Sequence, residues 1–98
     1  MAHATPSDDP ARELRQLVEL GRYREALEAH QRTSEPAARR PEVELLAATA
    51  ATRLGDLGKG ITLAESALEH FRSRADTDGR MRAMNLLEQC GGRIGGTD

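Results

Sequence analysis

Apolar side chains in this chain recur at helical spacing, and no stretch shows the alternation of a half-buried strand. Leu14, Leu17 and Val18 make the first stripe, with Pro10 suited to the opening turn, cap oxygens offered by Ser7, Asp8 and Asp9, and Gly21 as its end. Tyr23, Ala26, Leu27 and His30 follow at i, i+3, i+4 and i+7, which predicts a second helix over 23–32. Pro36 and Pro41 break the path, so 33–41 reads as a loop. A third helix begins at about Glu42, with Val43, Leu46, Ala47, Ala50 and Leu54 inward and with Ala48 and Ala51 small enough for a close neighbour; Gly55 ends it. The fourth, over 57–72, puts Leu57, Ile61, Ala64, Leu68 and Phe71 on one face, its first turn weakened by Gly58 and Gly60. After a turn-like run from Asp76 to Gly79, a fifth helix carries Met81, Met84 and Leu87, together with Ala83, Leu86 and Cys90, on its inner sides. The expected organisation is a flexible arm over 1–8, an all-α domain over 9–90 and a flexible glycine-rich tail over 91–98.

An internal repeat sharpens this picture. Gly21-Arg22-Tyr23-Arg24-Glu25-Ala26 aligns with Gly55-Asp56-Leu57-Gly58-Lys59-Gly60 at a separation of 34 residues. Each copy sets a glycine for a tight turn, a bulky residue at the base of a helix pair and a small residue where two helices cross. Through these segments, above all Leu20-Gly21-Arg22-Tyr23-Arg24-Glu25-Ala26-Leu27 and Arg53-Leu54-Gly55-Asp56-Leu57, the chain resembles the tetratricopeptide repeat (TPR) family over residues 9–90. The family's first-helix signature is mostly missing: its tryptophan, leucine-glycine and tyrosine places fall on Pro10, Glu13-Leu14 and Leu17, and on Glu44, Ala47-Ala48 and Ala51. Arg82-Ala83-Met84-Asn85-Leu86-Leu87 resembles the start of a third copy, with the glycine-rich tail where its second helix belongs. The resemblance implies antiparallel helical hairpins stacked as a short solenoid of about five helices, two and a half degenerate repeats in all.

Composition then narrows the function classes. Fourteen basic against 16 acidic residues give a formal net charge of −2, and Tyr23 and Phe71 are the only aromatic residues, so neither a phosphate-binding surface nor a base-stacking platform is indicated. Cys90 is the single cysteine, which rules out an internal disulfide and a cysteine-rich zinc site. No apolar run reaches the length of a membrane span and no export signal is visible, so the expected address is cytoplasmic. Lys59 is the one lysine among many arginines, and alanine is abundant, a bias that suits a high-GC bacterial genome.

The TPR resemblance implies a protein-interaction module, not an enzyme, that takes a peptide or helix of another protein in a concave groove lined by the first helix of each hairpin. Carried over by register, the groove positions fall on Ala11, Arg15, Val18 and Glu19 in the first repeat and on Leu45, Thr49, Thr52 and Arg53 in the second. The lysine and asparagine clamp with which some members hold acidic chaperone tails is replaced by Ala11, Arg15 and Leu46. An uncovered Met81, Met84 and Leu87 face would favour self-association through the C-terminal helix. Two alternatives stand beside this reading. Ala51-Thr52-Arg53-Leu54-Gly55 followed by Ile61 has helix-turn-helix spacing, which would make the chain a DNA-binding regulator, although Glu65, Glu69 and His70 would then stand on the recognition helix. The other alternative is a truncated repeat segment of a larger bacterial regulatory protein. Gly58-Lys59-Gly60 fails the phosphate-loop pattern, because Gly60 and Arg53 occupy the places that need serine or threonine and glycine. His3, His30 and His70 have no ligand partners at metal spacing; Ser66 and His70, one turn apart, have no orienting group on their own helix face; and Cys90 reads as a structural thiol. No catalytic residue, metal or cofactor is expected.

Overall fold

The computed structural model describes residues 9–34 and 37–91. Five α-helices follow one another: α1 Pro10–Glu19, α2 Tyr23–Arg32, α3 Pro41–Leu54, α4 Leu57–Ser73 and α5 Thr77–Gln89, with one 3-10 turn, Ala37–Arg39, before α3. No strand occurs among the described residues, so the fold class is all-α. The expected arm, the cap residues Ser7 and Asp8, and the tail beyond Gly91 lie outside the described residues.

Each helix packs on the next, and in addition α1 packs against α3 and α3 against α5. α3 therefore touches all four of the others, which explains its composition. Val43, Ala47, Ala48, Ala50 and Ala51 are all fully buried, a wider sector than one amphipathic stripe, and only side chains this small let several backbones approach one helix.

The glycine repeat has a conformational counterpart. Gly21 and Gly55 close α1 and α3 with φ of 77° and 88°, the left-handed region that glycine enters without a Cβ penalty. Gly21 N–H donates to the Val18 carbonyl at 3.0 Å and Arg22 N–H to the Leu17 carbonyl at 2.8 Å. At the same offset, Gly55 N–H donates to Thr52 at 3.0 Å and Asp56 N–H to Ala51 at 2.9 Å. Immediately afterwards α2 and α4 begin, each with a small buried residue, Ala26 or Gly60, three positions into the helix. At Gly60 the reason is visible: a Cβ would stand 2.7 Å from Thr52 Oγ1 and 3.2 Å from Cys90 Sγ. The bulky residues between differ, since Tyr23 is half-buried whereas Leu57 is 43% exposed. Leu54, expected on the inner face of α3, is also outward at its C-terminal end.

The structure turns α5 away from part of the expected register. Asp76 to Gly79 is not a free turn: Asp76 is the N-cap of α5, its carboxylate accepting from Gly79 N–H at 3.0 Å, and Thr77 to Gly79 form the first helical turn. Gly79 lies against Phe71 so closely that a Cβ would overlap the ring. That contact fixes the rotation of α5, burying Gly79, Ala83, Leu86, Leu87 and Cys90 as one stripe. Met81 and Met84, expected inside with Leu87, are instead outward and 57% and 36% exposed. Gly91, just past the end of α5, again has positive φ and lies 36 residues beyond Gly55, against the 34 that separate Gly21 and Gly55.

Candidate protein-interaction surface

The residues carried over as groove positions occupy corresponding places on α1 and α3, two helices that pack side by side. Arg15, Glu19 and Arg53 are exposed and Val18 is half-buried. Leu45 is half-buried against two core clusters that contain Leu86, Leu87 and Ala83 of α5 and Ala64, Ala67 and Phe71 of α4. Thr49 turns its hydroxyl back on its own helix, to the Leu45 carbonyl at 2.9 Å. Thr52 is engaged between helices: its hydroxyl donates to the Ala48 carbonyl at 2.8 Å and lies 3.1 Å from Cys90 Sγ. The hydroxyl's one proton is thereby used, so the thiol donates to it. Arg15, Glu19 and Arg53 are thus exposed charges with no ion-pair partner among the described residues, whereas Leu45 and Thr52 are occupied by the packing of α5.

A polar cluster that the periodicity did not single out joins α3 to α4. Glu44 is only 5% exposed, and its carboxylate accepts from Ser66 Oγ at 2.8 Å and from His70 Nδ1 at 3.2 Å. Glu44 supplies, from α3, the orienting group that the α4 face alone lacks. The arrangement still does not make a nucleophile. Activating a serine requires its proton to be directed at the imidazole, and here both Ser66 and His70 donate to the same carboxylate. Its effect is to satisfy a buried charge and to fix the register of two helices. The available sequence signal was an acidic residue inside an otherwise apolar helix, opposite a serine and histidine one turn apart.

Further along the same seam, Arg74 donates to Glu42 at 2.9 Å and 3.4 Å, tying the end of α4 to the start of α3. The hydrogen bond from Arg74 holds the Glu42 carboxyl below the usual glutamate value, against the opposing effect of partial burial. His30 is likewise structural: its Nε2 donates to the Ala38 carbonyl at 3.1 Å and pins the 3-10 turn to α2. Cys90 is buried.

Three shallow concavities lie among the described residues, and none of these three includes any of the eight groove positions. One, of about 400 Å³, lies between α2 and α4, with Leu27, His30, Lys59 and Leu63 among its walls. A second, of about 380 Å³, has Arg24, Glu28 and Leu54 on its rim. The third, of about 270 Å³, runs along the outer face of α5. No group of three or more His, Cys, Asp or Glu side chains among the described residues could hold a metal ion. No helix among them is long and apolar enough to cross a membrane. Comparison with protein-family models, with curated proteins and with solved structures finds no match in any of the three.

Proposed function

We propose that the chain is a TPR-like protein-interaction module that receives a peptide or helix of another protein across α1 and α3, with Arg15, Glu19 and Arg53 as its charged contacts. The observation that carries this reading is the backbone repeat: the same glycine-closed helix end, with the same two hydrogen bonds, recurs 34 residues apart and precedes a second helix each time. Side-by-side packing of α1, α3 and α5 supports it, since stacked first helices create one extended face. Exposed charges of both signs on that face suit charge-assisted recognition of a mixed-polarity segment. The helix-turn-helix alternative receives no such support. Glu65 and Glu69 are exposed on α4, where a recognition helix would meet phosphates, and His70 is bound to Glu44.

Affinity capture by the immobilised chain tests the reading. Arg15→Glu combined with Arg53→Glu is expected to abolish recovery of the bound protein while leaving the helical circular dichroism unchanged. Equal recovery by the reversed chain discards the assignment to α1 and α3.

A further inference from the structure

The outer face of α5 combines exposed apolar and charged side chains. Met81 and Met84 are exposed there along the shallow depression, whose lining also includes Arg80 and Glu88. On α3, 36 residues earlier, the places of Arg80 and Met84 are held by Glu44 and Ala48, both buried against α4. A face that α3 covers with a helix is uncovered on α5 among the described residues. Arg80 Nε is also buried from solvent and has no acceptor among the described residues, a polar group left unsatisfied within this chain. Neither Arg80 nor Glu88 has an ion-pair partner among the described residues. They cannot pair with each other, because eight residues of helix hold them about 12 Å apart.

The spacing itself says what fits. Arg80 and Glu88 stand four residues either side of Met84 on one helix face. A two-fold axis through Met84 running between two antiparallel helices sets Arg80 of each opposite Glu88 of the other and brings the methionines together at the centre. The patch is thus self-complementary in both charge and apolarity, the condition for an isologous contact. We infer that this chain pairs with a second copy of itself through the Met81 and Met84 face of α5, antiparallel about Met84, with two Arg80 to Glu88 ion pairs between the copies. The inference does not depend on the proposed groove, which lies on α1 and α3. One helix of 13 residues per copy makes a contact at the small end of specific interfaces, under about 1,200 Å² in total, so the pairing is weak and concentration-dependent.

Sedimentation equilibrium under reducing conditions tests it, with circular dichroism as the check on folding. The unaltered chain is expected to pass from monomer to dimer through the micromolar range. Arg80→Glu alone and Glu88→Arg alone each place two like-charge pairs across the axis and are expected to weaken association at least about tenfold. Mixing these two single variants restores opposite charge at both pairs, so they are expected to form a one-to-one heterodimer at concentrations where each alone stays mostly monomeric. A chain that stays monomeric through high-micromolar concentration overturns the inference. So does a dimer that both single charge reversals leave intact.

Discussion

A methyl group at position 79 decides how closely α5 can follow α4. Gly79 sits in the first turn of α5 directly against the Phe71 ring, and a Cβ there has no room. Gly79→Ala is therefore expected to destabilise the chain by about 1–3 kcal/mol, the usual cost of forcing extra volume into a packed contact. Gly58 makes the opposite control. It also lies in the first turn of a helix, but a Cβ at that position meets nothing within 4 Å. Gly58→Ala is expected to stabilise by up to about 0.5–1 kcal/mol, because it removes backbone freedom from the unfolded chain at no steric cost. Urea denaturation of the two variants should move the midpoint in opposite directions; equal midpoints would mean that Phe71 does not hold α5 in this position.

At the scale of elements, the seam between α3 and α4 is the best fastened, and its pH response follows from Glu42. The Arg74 hydrogen bond lowers the folded-state pKa of Glu42 beneath its unfolded value. Its contribution is therefore present above the unfolded value and is lost as the pH falls through the depressed folded one. Arg74→Ala is expected to move the Glu42 titration up toward an ordinary glutamate and to flatten the acid limb of stability slightly, which an NMR titration of the side-chain carboxyl would follow. An unmoved titration would show that Arg74 is not its partner in solution. The helices themselves were legible because proline and glycine punctuate them: Pro10, Gly21, Pro41 and Gly55 each fall within a residue or two of an observed boundary. Rotation about a helix axis was less legible. Both the methionine face and the Ala83, Leu86, Leu87 and Cys90 face of α5 satisfy helical spacing, and only the tertiary contact between Gly79 and Phe71 selects one. Asp76 to Gly79 misled for a related reason, since aspartate, threonine and glycine suit a turn and a helix start equally. Among the groove positions, Thr52 shows the same limit: a threonine that bonds its own helix can be drawn between neighbours, and spacing does not reveal it.

Across the whole molecule, α3 joins two unequal halves. Ala11, Leu14 and Ala29 meet Val43 and Ala47 on one side of it, and Ala64, Leu86 and Leu87 gather about Ala48 on the other. Among the described residues Leu14 and Val43 are the largest fully buried side chains, and Leu14 is the one of them that the first hairpin supplies. α1 and α2 have 10 residues each, shorter than the roughly 12–15 at which an isolated helix is even marginal in water, and they persist only by docking on α3. Leu14→Ala is expected to cost about 2–5 kcal/mol, charged mainly to that hairpin. If stability is a sum over neighbouring units, amide hydrogens of α1 and α2 should then exchange much faster while those of α4 and α5 change little, because Phe71, Ala83 and Leu87 make no use of Leu14. Native-state hydrogen exchange resolves this residue by residue. Uniform acceleration in all five helices would instead identify a single cooperative unit, in which α3 transmits the loss of Leu14 to the far end of the chain.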